Sequence, residues 1–305
     1  MVRGTFFIDK MLHCLRCLAT SHEKENFMRF RWWHRTTIWC FSVGIFANAL
    51  ASPVSYRVEI RSEPRPLRIH VLQIDLADKS NELAVEAGED PDGAGPAEAQ
   101  LVDPLELSRK GRLIAAINGN AWANLPATAG DAAPTAYLAG GPCNVLGWLL
   151  RDGLQKSPLE KSVWSFWLDE EGTGHIGSLS EAVPALLAIS GFGGLLRSGV
   201  VLPKAGGPLH PRTALGLDGT GRQLTLVVVD GRQAGFSEGM SERELAELMK
   251  ELGCVDSLNL DGGGSTVMIE GGKILNNPSE ATGPRPVPVM IGVRSIMDGR
   301  FPPDR

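Results

Sequence analysis

Apolar and polar side chains alternate with a period of two over residues 53–60 and 67–76, the pattern of strands buried on one face. A stretch rich in Gly, Pro and acidic residues at 87–99 predicts an exposed loop, and 101–110 a short helix. Residues 113–117 form a continuous apolar run, hence a buried strand, which stops at the turn residues Asn118-Gly119-Asn120. Two hairpins follow. Residues 163–168 and 175–179 flank an acidic, Gly-containing turn, while 213–218 and 223–229 flank Gly219-Thr220-Gly221. The consecutive β-branched residues Val227, Val228 and Val229 place the second of these strands deep in a sheet. A third hairpin over 266–275 turns at Gly271-Gly272.

One helix is specified at both ends. Ser241-Glu242-Arg243-Glu244 is a capping box: the Ser hydroxyl accepts the amide three residues on, and Glu244 reaches back to the cap amide. Leu245, Leu248, Met249 and Leu252 then share a face, Gly253 stands where a C′ glycine belongs, and 255–260 continues as a strand. Strand pairs outnumber helices and no repeat is present. The pattern therefore predicts one α+β domain over 52–305, with a mixed, largely antiparallel sheet and few helices.

The N-terminal region changes this picture. Arg29, Arg31 and Arg35 precede an apolar run at 38–50 that closes on Ala49-Leu50-Ala51, the three-part pattern of a secretory signal peptide, with Ser52 as the first mature residue. The run is short for a membrane anchor, and no later uncharged apolar run would span a bilayer. Export, to the periplasm or beyond, with no stable membrane span is the expectation. Met28 opens a conventional signal, which leaves 1–27 as a leader; its Cys14 and Cys17 have no second pair of ligands and carry no functional weight.

Seven of the 30 basic and three of the 35 acidic residues lie in 1–51, so the mature chain holds 23 and 32, a net charge near −9. That balance argues against a nucleic-acid partner. Cys143 and Cys254 are the two cysteines beyond the leader, open to a disulfide or to two buried thiols.

Candidate chemistry falls at four strand ends: Asn118-Gly119-Asn120, His210-Pro211-Arg212-Thr213, Asp230-Gly231-Arg232-Gln233, and the run from Asn259 through Asp261, Gly262, Gly263 and Gly264 to Ser265 and Thr266. Three consecutive glycines suit positive φ or close approach of a ligand to backbone amides, in an anion-binding nest; they suit a wide hairpin turn as well. The Lys of a phosphate-binding P-loop is absent, which disfavours nucleotide hydrolysis. Asp230 and Asp261 end strands on either side of the helix, so parallel strands would bring both carboxylates to one edge, an acid and a base or nucleophile for glycosidic cleavage. Each alone is equally a turn residue. Arg212 has the fork that matches phosphate oxygens, with Arg232 as its substitute. His210 as proton donor, Ser237 and Glu238 from a Gly-bounded loop, and Trp122 as a stacking face complete the candidates, each with a structural alternative.

The stretches IAAINGNAW (114–122), AISGFGGLLRSG (188–199), HPRTALGLD (210–218), LVVVDGRQ (226–233) with its helix, LNLDGGGSTVMI (258–269), LNNPSE and RPVPV together resemble the phosphodiester glycosidase family, relatives of the enzyme that uncovers mannose 6-phosphate. The resemblance spans 55–295 and implies hydrolysis of an α-linked sugar phosphodiester. It implies that Asn118, Arg212, Thr213, Asp230, Arg232, Asn259, Asp261 and Gly262 to Ser265 line the site, with Asn118 and Asn259 orienting the sugar. Where many relatives carry an aromatic pair, this chain has Asn120-Ala121-Trp122, which alters one wall. No metal is required, because no His, Cys or carboxylate cluster has ligand spacing; a carboxylate-bound Ca²⁺ supporting a loop is compatible with the sequence. A non-catalytic glycan- or cell-wall-binding protein and an exopolysaccharide assembly factor are the rival readings.

Overall fold

The computed structural model describes residues 54–126, 132 and 134–295. The leader, the signal peptide and Cys14-Cys17 lie outside them. No helix among the described residues is long and apolar enough to cross a membrane.

The scaffold is a seven-stranded sheet in the order Val54–Arg61, Leu67–Asp75, Gln223–Val229, Arg212–Leu217, Asp256–Asn259, Gly193–Arg197, Val200–Val201. Period-two alternation gives it two buried faces. Leu72, Ile74, Leu215, Leu224, Leu226, Val228, Leu258 and Leu260 point inward to the main core. Ile69, Val71, Ala214, Val227 and Val229 point the other way, onto Leu245, Leu248 and Met249 of the helix Glu242–Glu251. Both sides of the 223–229 strand are therefore dry, which is why an unbroken run of valines suits it.

Two five-stranded sheets close the main core. One contains Leu113–Asn118 between Met268–Glu270 and Val289–Ser295, with Asn81–Ala87 beyond; the other is built on Trp164–Leu168 and Leu187–Gly191. A small three-stranded sheet of Ala99–Gln100, Pro142–Val145 and Trp122–Asn124 flanks them.

Every strand pair among the described residues is antiparallel, and the two helices are short, Pro104–Lys110 and Glu242–Glu251. The expected mixed sheet of an α+β domain is thus corrected to a mostly antiparallel, sheet-rich fold closer to all-β. The reason lies in the crossover. The 223–229 and 256–259 strands do run parallel, but Arg212–Leu217 sits between them and pairs antiparallel with both.

Local signals acted as their chemistry dictates. Ser241 caps the Glu244 amide while the Glu244 carboxylate accepts from the Ser241 amide. Gly253 ends the helix in the left-handed region at φ 89°. Cys143 and Cys254 are both free and buried, in different core clusters. Replacing Ser241 with Ala removes a cap that orients the crossover, and should lower unfolding free energy by about 1 kcal/mol in urea titration; an unchanged midpoint and slope would refute that role.

Candidate active site

The four polar clusters converge on one end of the sandwich. The 212–217 strand begins there, the 223–229, 256–259 and 113–118 strands end there, and the 289–295 strand begins there. Hydrogen bonds knit these ends: Gly119 N to Val289 O at 2.9 Å, Leu260 N to Thr213 O at 2.9 Å, Gly263 N to Pro211 O at 2.9 Å and Asp230 N to Arg68 O at 3.0 Å.

Asn118 is buried and fully engaged. Its Oδ1 accepts from Thr213 Oγ1 at 2.9 Å and Val267 N at 3.1 Å, and its Nδ2 donates to Asp261 O at 2.7 Å. Thr213 is likewise consumed in that bond. Asp230, 1% exposed, accepts at Oδ1 from Asn276 Nδ2 (3.2 Å) and Asn277 N (2.9 Å), while Oδ2 lies 3.2 Å from His70 Nε2. His70 Nδ1 in turn meets Tyr56 Oη at 2.8 Å. Arg212 is buried under the helix, donating from Nε to Met240 O (2.9 Å) and from Nη2 to Pro208 O (3.2 Å), with Glu242 beside Nη1 at 3.4 Å. Alternation along the strands explains the split: Arg212 and Asn259 fall on the helix side, Thr213 on the inner side. Asn259 keeps a buried Oδ1 without a partner.

The glycine turn itself faces outward. Gly263 has φ 60°, and a Cβ there would stand 3.1 Å from Arg232 Nη2. A Cβ on Gly264 would overlap Glu280 Oε1 and the Arg285 guanidinium. The amides of Gly263, Ser265 and Thr266 are taken by Pro211 O, Gly262 O and Gly263 O, and Arg232 and Arg285 bring guanidinium donors to the turn. Arg232 is exposed, is held at φ 61°, and approaches His210 Nδ1 at 3.4 Å. Burial, with Arg232 and Arg212 nearby, pushes His210 below its usual range, so it is a neutral acceptor for that contact.

Asp261 opens the glycine turn, where the Arg285 charge reaches it. Burial pushes its carboxyl up to about 6, tempered by the Ser265 hydroxyl, the Arg285 charge and the Gly262 amide. The Ser265 hydroxyl is close enough to act on the charge yet outside hydrogen-bond geometry. A carboxylic acid that keeps its proton to about pH 6, within reach of the Arg285 charge, is equipped to protonate an oxygen departing from carbon.

Four residues at this end escaped the sequence reading: Glu280, Arg285, Asn277 and Tyr137. The Arg285 guanidinium stacks 4.0 Å from the Tyr137 ring centroid, and Trp122 meets Tyr137 edge-on at 5.8 Å, so the Trp122 wall reaches the turn through them. Asn277 exchanges hydrogen bonds with Gln233. Their signal was an acid and a base in a Pro- and Gly-rich connection between two strands, inside segments that already carried the family resemblance.

A cavity of about 640 Å³ lies at the opposite strand ends, lined by Ile74, Leu76, Asn81, Leu83, Leu168, Leu187 and Val293 under an acidic rim. Its walls bring together no acid with a cationic clamp. Chemistry, not volume, locates the site. Among the described residues, no group of three or more His, Cys, Asp or Glu is arranged to hold a metal ion.

An antiparallel sandwich whose strand ends gather a proton-holding Asp and two arginines at a triple-glycine turn presents a candidate site for an anionic group. Residues 111–294 match the phosphodiester glycosidase family, and the chain belongs to it. The fold is that of the catalytic domain of zebrafish N-acetylglucosamine-1-phosphodiester alpha-N-acetylglucosaminidase auto-inhibited by its pro-peptide, at TM-score 0.60 and 20% identity over 81% of this chain and 85% of that one. A hypothetical protein from Synechocystis is similar at TM-score 0.59 and 14% identity, covering 79% and 62%. The SPbeta prophage-derived uncharacterized protein YomE of Bacillus subtilis (strain 168) is 40% identical over 73 residues, 23% of this chain and 11% of that protein, so the chain spans a small part of its length.

The raised Asp261 carboxyl fixes a sign for pH dependence. Its folded value of about 6 exceeds the ordinary 3.8, so the folded chain holds this proton more tightly than the unfolded one. The contribution is complete below about pH 4 and is lost as pH rises through 6. Asp261→Asn should therefore gain about 2 kcal/mol on the wild type between pH 4 and pH 8, read by urea unfolding at both values. A difference that does not change with pH would refute the burial argument.

Proposed function

We propose that this protein is an exported hydrolase that cleaves the glycosidic phosphodiester of a glycan or cell-envelope polymer. The observation that carries the reading is Asp261, neutral below about pH 6, at a glycine turn flanked by Arg232 and Arg285. Family membership supports the bond type, and the charged, apolar and Ala-Leu-Ala pattern at 28–51 supports export.

Arg232 and Arg285 bracket the turn at the distance of adjacent residues, where the two phosphoryl oxygens of a diester can be met by separate forks. Placing that charge against fixed cations stabilises the phosphate as it departs. Asp261 supplies a proton to the oxygen that separates from the anomeric carbon. Asn118, Thr213, Asp230 and Arg212 act behind this layer: they hold strand ends, while Asn259 keeps one free acceptor for a hydroxyl.

Incubating the mature chain with a panel of sugar-1-phosphodiesters and assaying free sugar tests the reading. Turnover should fall along an alkaline limb near pH 6 as Asp261 loses its proton, and Asp261→Asn should cost several orders of magnitude in kcat. Binding without release of sugar across aminosugar and hexose diesters would instead make the chain a glycan-binding protein.

The two arginines should separate cleanly. Arg232→Ala should leave the melting temperature unchanged and lower kcat/KM by about 100-fold. Arg212→Ala should instead lower thermal stability, since Met240 O and Pro208 O lose their donors. A melting temperature unchanged in Arg212→Ala, with activity lost, would return the phosphate contact to Arg212.

A further inference from the structure

The proposed reaction needs a second carboxylate, and Asp230 does not present one: both its oxygens are engaged and it is 1% exposed. Glu280 presents one. It lies over Gly264, three residues past Asp261, so close that any Cβ at Gly264 would collide with its Oε1. Its side chain is 31% exposed, against 17% for Arg285.

Arg285 holds Glu280 through a single oxygen, donating from Nε to Oε1 at 2.9 Å and from Nη2 to the same atom. Behind it, the Tyr137 ring fixes the plane of the guanidinium. The same cation acts on Asp261. Arg285 thus has two claimants: the Glu280 carboxylate in the free protein, and a phosphodiester anion when one occupies the turn. A phosphoryl group offers the fork two oxygens where Glu280 offers one.

Resting on the phosphodiester glycosidase reading above, we propose that Glu280 is the general base of the reaction, masked by Arg285 until the bound phosphodiester draws the guanidinium away. Glu280 then removes a proton from water as the water oxygen bonds to the anomeric carbon. The bond from that carbon to the phosphate oxygen breaks, its electron pair stays on the oxygen, and Asp261 protonates it. The products are a sugar with a free anomeric hydroxyl and a phosphomonoester; Glu280 ends protonated and Asp261 ionised, and one proton passing between them through solvent resets the site.

The test is steady-state kinetics on a sugar-1-phosphodiester that the wild type turns over, with a non-hydrolysable sugar phosphonate as the binding probe. Glu280→Gln should lower kcat by 10²- to 10⁴-fold, keep phosphonate affinity within a few-fold, and abolish the acid limb of the pH profile while the alkaline limb remains. Formate should restore part of the rate to Glu280→Ala. Arg285→Met should weaken phosphonate affinity, because the anion loses its fork, whereas Glu280→Gln leaves that fork in place. Turnover within three-fold of wild type in Glu280→Gln overturns the proposal while the hydrolase reading stands on Asp261→Asn. So do an acid limb that persists and an Arg285→Met variant that binds the phosphonate as tightly as the wild type. Should the Gln variant fail to fold, Glu280→Asp decides: a rate well above that of the Ala variant supports the base, and one equal to it overturns it. A wild type inactive on every diester removes both readings together.

Discussion

The amide of Asn118 is the joint on which the rest of this molecule turns. It lies at the end of a strand of one sheet, accepts from Thr213 at the start of a strand in the opposite sheet, accepts from Val267 after the glycine turn, and donates to the carbonyl of Asp261. Three separate chain segments are thereby fixed by one buried side chain with both its ends satisfied. A group so placed is costly to leave half-paired, which ties the two sheets and the turn into one arrangement. Asp230 does the same from the other side: through Asn276, which also donates to Thr266 O, it anchors the segment that delivers Glu280 and Arg285. Polar residues that read as chemistry in the sequence, among them Asn118, Thr213, Asp230 and Arg212, also bind these strand ends together.

That division has an electrostatic logic. Arg212 and Asp230 are charged groups kept from water, and each has fixed partners, as burial requires. Asp261, Arg232 and Arg285 are less completely paired. Asp261 resolves its own burial by holding a proton rather than by acquiring a salt bridge, and it is this that makes it useful as an acid. The glycines belong to the same account. Gly263 and Gly264 leave room where two arginines and Glu280 close on the backbone, and an alanine at either position would push a cation outward or break the Glu280–Arg285 pair.

Much of the fold was legible in the residues. The capping box, the C′ glycine, the valine run and the three hairpins each carry a local signal strong enough to survive packing. What the residues did not carry was topology. The insertion of the 212–217 strand between two parallel neighbours is a long-range pairing, and no local pattern announces it. The strand at Asn81–Ala87, whose buried stretch hides its alternation, was missed for a related reason. At the site, Asp230, Asp261 and Arg212 were chosen by residue type and position at a strand end; the partners each one meets depend on the face it occupies and lie as far as 160 positions away, as His70 does from Asp230. Glu280 and Arg285 sit in a connection with no regular structure, where chemistry leaves no periodic trace.

The two ends of the sandwich differ in their chemistry. The Asp75 end opens into a cavity of about 640 Å³ walled by aliphatic side chains, with Asp75, Asp78, Glu82 and Asp152 around it. An anionic substrate would meet a mostly acidic rim there, with Lys79 as the cation of the lining. At the Leu67 end, strand termini bring Arg232 and Arg285 to backbone that has no side chains to keep them apart, so positive charge concentrates over a few ångströms in a chain that is acidic overall. A diester carrying a single negative charge is attracted there and repelled elsewhere. On the proposed reading, the arginines at the turn and the carboxyl that stays protonated there, rather than an enclosed volume, mark the end where the chemistry lies.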